Sequence, residues 1–316
     1  MLAFCVPRGL AWVGIYLRGI AIGAADVVPG VSGGTMALVL GIYERLLAAL
    51  RSATSLTPWR ALARDGIGPA WRAADGGFLL PLVAGIFSAV LALAQVVEVA
   101  LVEHRVLLYA AFTGLVSASI VVVARKVRGP RGAMLLVGSA TAAATFALLG
   151  LAPAATPDAT WFIVTTGAIA IAALVLPGVS GAFILVVMGH YETVLGAIGR
   201  LDLSVLAPFA LGAILGLATI VRILDVLLRR ARATTLAALT GIMVGSLRRL
   251  WPWLEASDPA AHEVPHGVAI TLPSAAFGPE GWVGALAVAL VAAGVVAILE
   301  WSGARRAPRN PFSSPS

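Results

Sequence analysis

The feature that most constrains this chain is that it contains one motif twice. Residues 29–47 read PGVSGGTMALVLGIYERLL, and residues 177–195 read PGVSGAFILVVMGHYETVL. The two stretches lie 148 positions apart (177 less 29) and agree at 10 of 19 places. A second correspondence follows each motif at an offset of 127. Pro81 and Gly85 match Pro208 and Gly212, Glu98 matches Asp225, and Thr113-Gly114 matches Thr240-Gly241. The shorter offset leaves about 21 extra residues (148 less 127) after the first motif, in the polar stretch near 51–77 with Arg51, Arg60, Arg64 and Arg72. A fold for this sequence has to use one supersecondary unit twice.

Between short charged stretches run apolar blocks of roughly 18–25 residues, long enough to cross a hydrocarbon core. Of the 316 residues 60% are hydrophobic and only 12% charged, about half the charge of an average soluble domain. Helices satisfy their own backbone in lipid, and the blocks are too long and too apolar for barrel strands. The expected fold is therefore an all-α polytopic membrane protein with two repeats. Repeat one covers 1–125, with a broken or re-entrant hairpin at 10–50 and helices at 78–101 and 106–124. A linking helix follows at 132–150. Repeat two covers 160–250, with a hairpin at 160–198 and helices at 204–228 and 234–250. A final helix at 281–300 precedes a disordered tail at 302–316. Arg8 and Arg18 interrupt the apolar N-terminal stretch, so no cleavable signal peptide is expected. The single cysteine, Cys5, excludes an intrachain disulfide and a cysteine metal cluster.

The formal net charge of +7 sits mostly in short loops. That points to topology and anionic headgroups before nucleic acid. Arg125, Lys126, Arg128 and Arg131 mark one loop as cytoplasmic, as do Arg229, Arg230 and Arg232, and the tail with Arg305, Arg306 and Arg309. The stretches 151–161 and 254–280 carry no Lys or Arg and are assigned outside. Threading the segments through these constraints places both termini in the cytoplasm and inverts the second copy, an arrangement common in secondary transporters. Arg248-Arg249 is the one misfit, at the outer end of a helix. Tryptophans 59, 71, 161, 251, 253, 282 and 301 cluster at segment ends, as an aromatic belt does.

In each motif Pro-Gly breaks a helix and Ser-Gly starts the next. Pro29 and Gly30 end the first half-helix, and Ser32, Gly33, Gly34 and Thr35 begin the second. Pro177 and Gly178, then Ser180 and Gly181, repeat the pattern. A helix start presents free N–H groups and partial positive charge; glycines let an anion approach, and a hydroxyl adds a donor. The bland alternative is a hairpin turn with a serine cap. Two copies at equivalent places favour a site, because non-helical backbone at membrane depth lines cavities.

Charged residues inside apolar blocks add candidates. Arg18 and Arg222 are candidate phosphate contacts. Asp26 (whose counterpart is Leu174), Glu44, Glu192, Asp225 and Glu98 are candidates for ion coupling. For most of these an interfacial, snorkelling role competes. His190 reads as a helix-face residue, and no metal-ligand spacing occurs, so neither metal nor cofactor is expected.

ADVVPGVSGGTMALVLGIYERLL and its echo VLPGVSGAFILVVMGHYETVL resemble the polyprenyl-phosphate transporters (PopT) over roughly residues 10–300. The resemblance implies a plasma-membrane flippase, not an enzyme, that returns undecaprenyl phosphate from the outer to the inner leaflet for reuse in cell-envelope synthesis. It carries the family's motif onto Asp26, Pro29, Gly30, Ser32, Gly33, Gly34 and Thr35, and onto Pro177, Gly178, Ser180 and Gly181. Ala182-Phe183 stands where copy one has Gly34-Thr35, so fewer polar contacts are expected from the second half-site. The expected partners are the lipid-linked phosphate and membrane lipids, with a homo-oligomer left open and nucleic acid excluded. The alternatives are a carrier or channel for a soluble anion, an intramembrane serine hydrolase using Gly-x-Ser-Gly, and an assembly scaffold. The hydrolase lacks a well-placed base.

Overall fold

The structure is a computed structural model, and it describes residues 8–26, 32–150, 159–252 and 281–306. Among these the regular elements are fourteen helices. The first copy contributes α1 (Arg8–Asp26), α2 (Gly33–Val39) and α3 (Tyr43–Ala53), then α4 (Leu56–Asp65), α5 (Ile67–Ala73), α6 (Gly76–Glu103) and α7 (Arg105–Ala124). After α8 (Arg131–Leu148) the second contributes α9 (Thr160–Val175), α10 (Gly181–Val187), α11 (Tyr191–Arg200), α12 (Leu203–Arg230) and α13 (Arg232–Leu250), and α14 (Trp282–Arg306) closes the chain. Four helices are long and apolar enough to cross a membrane, namely α6, α7, α8 and α12; the count is five if α10 and α11, bent by 113° at their junction, form one broken span. Leu91 is 79% exposed, Leu136 73% and Leu290 63%. Such outward apolar faces suit lipid as the solvent, since water-soluble monomers avoid large exposed apolar patches.

The duplicated sequence folds into duplicated contacts. A Cβ added at Gly19 would strike the Leu82 carbonyl, and one at Gly85 the Tyr16 carbonyl. At the matching positions Gly167 meets the Phe209 carbonyl and Gly212 the Val164 carbonyl. The α1–α6 crossing and the α9–α12 crossing are therefore the same joint, closed by small residues that let backbones touch. Gly114 on α7 meets Ala289 on α14, and its counterpart Gly241 on α13 meets Gly138 and Thr141 on α8. The linking helix serves copy two as the final helix serves copy one. Met36, Tyr43, Leu47 and Val116 share one buried cluster with Val221, Leu236 and Met243, so the copies have a common core.

The sequence-derived outline needs three corrections. First, the half-helix after each motif breaks again. Gly41 (φ 69°) and Gly189 (φ 67°) are left-handed. The Ile42 amide bonds Ala37 O at 2.9 Å and Gly41 bonds Leu38 O at 3.1 Å; His190 bonds Leu185 O and Gly189 bonds Val186 O, both at 2.9 Å. This is the glycine C-cap with its two back-bonds, and it limits α2 and α10 to seven residues each. Second, the polar stretch near 51–77 is helical. Ser55 caps α4, and Gly66 at φ 89° separates α4 from α5. Leu56, Trp59, Leu62, Ile67 and Trp71 remain exposed, a pattern that suits helices lying on a membrane surface. Third, α14 continues to Arg306 where a disordered tail was expected from 302; 307–316 lie outside the described residues. At the entry to α12, Asp202 accepts from the Ser204 hydroxyl at 2.6 Å and its amide at 3.0 Å. These bonds hold its carboxyl below the usual range.

Candidate functional site

The first break leads into α2 and the second into α10. Pro29 and Gly30 lie outside the described residues, so the first site is built from Asp26 and Ser32 onward. Ser32 is fully buried, with extended backbone (φ −113°, ψ 132°), and its Oγ accepts from the Gly34 amide at 3.2 Å. The same hydroxyl lies 3.1 Å from Leu176 O and 3.3 Å from Leu174 O, which are carbonyls at the end of α9 beside the second break. A Cβ added at Gly34 would stand 2.8 Å from Val175 O and 3.3 Å from Pro177 N. Tyr43, at the start of α3, donates to Val175 O at 3.2 Å. The start of α2 is thus pressed against the run 174–177 that opens the second break. Residues 142–144 positions apart in sequence are in hydrogen-bond contact.

The two helix starts are not equally open. The Gly33 amide donates to Asp26 Oδ1 at 2.5 Å, the Gly34 amide is taken by Ser32, and Thr35 N bonds Ser32 O at 2.8 Å. The unpaired amides expected at the first start are therefore already bonded, and the Asp26 carboxylate occupies the place an anion takes at a helix N-terminus. Thr35 Oγ1 is buried and has no hydrogen-bond partner. Copy two has Leu174 in place of Asp26 and no side-chain cap on α10. Among the described residues, the Gly181, Ala182 and Phe183 amides have no acceptor. The half-site expected to be poorer is the open one. Gly178 (φ 87°) turns the chain there against the α13 backbone at Met243.

The remaining candidates lie elsewhere. Arg18 is exposed and turns back on Gly14 O at 3.2 Å, so it does not meet Asp26. Arg222 donates to Ala218 O at 2.8 Å and to Thr54 O, at the end of α3, at 3.2 Å. Asp225 is paired with Arg51 and with Arg229, the latter at 2.9 Å. Glu44 is paired with Arg232 at 2.6 Å. Glu192 is exposed at the start of α11. The Glu98 side chain lies outside the described residues. His190 is fully buried, with Nδ1 2.7 Å from Met188 O. The misfit Arg248-Arg249 has a local explanation. Arg248 donates to Phe146 O and Arg249 to Leu149 O, both at 2.9 Å, so the two cap the last carbonyls of α8. Arg249 also lies 4.4 Å from the centroid of Phe183 in the first turn of α10. That brings a cation to the second break, a placement sequence reasoning missed. No signal in the sequence paired position 249 with 183.

A family model described as VCA0040-like, undecaprenyl phosphate translocase-like, matches residues 22–266, which include both breaks. The chain belongs to this family. As a family member it is similar to a polyprenyl-phosphate transporter of Vibrio cholerae, 39% identical over 250 residues (78% of this chain and 80% of the relative). A polyprenyl-phosphate transporter of Staphylococcus aureus is 28% identical over 264 residues, 77% of this chain and 87% of the relative. No solved structure matches the chain. The family is one of transporters, so the hydrolase reading of Gly-x-Ser-Gly gives way. The chain is a multi-pass membrane protein, with four to five candidate spans among the described residues.

Proposed function

We propose that this chain moves undecaprenyl phosphate, or a related polyprenyl phosphate, from the outer to the inner leaflet of the plasma membrane, with the headgroup held where the two breaks meet. One observation carries the site: the helix start at Ser32 and Gly34 is in direct contact with residues 174–177 of the second break. The names and similarity of the two relatives support the substrate. In this reading the phosphate loads first on the open amides of Gly181–Phe183, near Ser180 and Arg249. It reaches the first start when Asp26 leaves Gly33, and Thr35 then supplies a hydroxyl. Asp26 is the candidate coupling group because its carboxylate and the phosphate compete for one amide. The two copies form an inverted repeat with 1–125 and 160–250 as its halves and both termini in the cytoplasm. The matched glycine joints and the arginine-rich loops support this arrangement.

The test is flipping of a labelled short-chain polyprenyl phosphate in vesicles containing the purified protein. Ser32→Ala removes the hydroxyl that joins the breaks and is expected to slow flipping while the protein still folds. Wild-type flipping by Ser32→Ala would remove the site. Uptake of a labelled soluble anion without lipid flipping would instead establish the rival carrier.

A further inference from the structure

A second cluster of charge lies one residue beyond the contact between the breaks. Tyr43 donates to Val175 O, while the next residue, Glu44, pairs with Arg232 at 2.6 and 3.2 Å. The first turn of α3 therefore touches both the paired breaks and this cluster. Beside it is a cavity of about 470 Å³ lined by Glu44, Leu47, Asp225, Leu228, Arg229 and Arg232. Asp225 is covered by Arg51 and Arg229; its side chain is 11% exposed, against 47% and 67% for theirs. Arg222, one turn earlier on α12, spends its donors on main-chain carbonyls alone. Three arginines thus pair with two carboxylates and Arg222 stands one turn away along α12, which leaves a local excess of two positive charges.

We propose that this cluster is a second phosphate-binding station, where Arg229, Arg232, Arg51 and Arg222 receive the headgroup of a phosphate monoester and Glu44 and Asp225 hold the place until it arrives. The proposal rests on the reading of the chain as a polyprenyl-phosphate transporter. A phosphate monoester carries about −1.5 to −2 charges near neutral pH, which matches the excess. Arginine forks bind phosphate bidentately with charge-assisted bonds. The Glu44–Arg232 pair is solvent-exposed on both sides, and such pairs contribute little to folding, so exchanging the Glu44 carboxylate for a phosphate costs the fold little. The arginine-rich α12–α13 junction marks this end as cytoplasmic, where an arriving headgroup is released.

The station gives the two halves of one ion pair opposite effects on binding. With the purified full-length protein and farnesyl phosphate as probe, Glu44→Gln is expected to tighten binding several-fold, because Arg232 loses its competitor. Arg232→Gln is expected to weaken it about tenfold, and Arg229→Gln replaces that variant if it does not fold. A purely structural pair would shift both in the same direction, and that result overturns the station, as does no change in either. If inorganic phosphate follows the same pattern, the phosphate group suffices; if it does not bind, the lipid-borne phosphate is the ligand. Both support the station, whereas an equal response to farnesol refutes it. Normal flipping in vesicles together with same-sign shifts would reject the station alone. Loss of the transport reading would appear instead as wild-type protein that fails to flip.

Discussion

Gly34→Ala is the sharpest probe of the meeting between the breaks. A methyl at this position would lie 2.8 Å from Val175 O and 3.3 Å from Pro177 N. Both are main-chain atoms of the opposing break, so no side chain can swing aside. The substitution gains up to about 1 kcal/mol of helix propensity and costs about 1–3 kcal/mol of overpacking, so the net effect on stability ranges from about nothing to a loss of about 2 kcal/mol. The strain nevertheless falls on the joint that positions the headgroup. If it appears in the transport barrier, about 1–3 kcal/mol converts to roughly a 5- to 150-fold slower rate at about 1.4 kcal/mol per factor of ten. The assay is lipid flipping in vesicles alongside thermal unfolding in detergent, with Gly77→Ala as control because a Cβ there meets nothing within 4 Å. Flipping by Gly34→Ala that equals the Gly77→Ala control would refute the idea that this contact is part of the transport path.

Two further outcomes follow from the same geometry. Gly85→Ala and Gly212→Ala both drive a methyl into a facing carbonyl at equivalent joints; each is expected to cost about 1–3 kcal/mol of stability, and thermal unfolding that spares one of them would break the equivalence of the copies. Asp26→Ala frees the Gly33 amide, so farnesyl phosphate is expected to bind the isolated protein more tightly, and a loss of binding would mean that Asp26 assists the anion instead of excluding it.

Much of the architecture was legible in the residues. Apolar blocks bounded by arginines set the expectation of long helices over 78–101, 106–124, 132–150, 204–228 and 234–250, where α6, α7, α8, α12 and α13 lie with ends shifted by up to two residues, because span length is set by bilayer thickness and charge cannot enter cheaply. The Pro177-Gly178 pair falls in the described break between α9 and α10, while Pro29 and Gly30 lie outside the described residues. The glycine caps at Gly41 and Gly189 were equally present in the sequence, yet a single glycine in an apolar run reads as helix interior unless its back-bonds are seen. The amphipathic α4 and α5 were hidden because their polar composition resembles a loop.

The duplicated motif by itself set the expectation that one unit is used twice and that a helix breaks at each Pro-Gly pair, since proline removes a donor and fixes the chain wherever it falls. Only the tertiary structure decided which helix start is open. Asp26 closes one through a bond to Gly33, and Arg249 of α13, which also caps the end of α8, lies over Phe183 at the other. Arg249 meets Leu149 and Phe183, far apart in sequence, only because helices pack in three dimensions; the Asp26–Gly33 bond spans just seven positions, but whether a carboxylate folds back onto a helix start depends on geometry that the motif does not spell out.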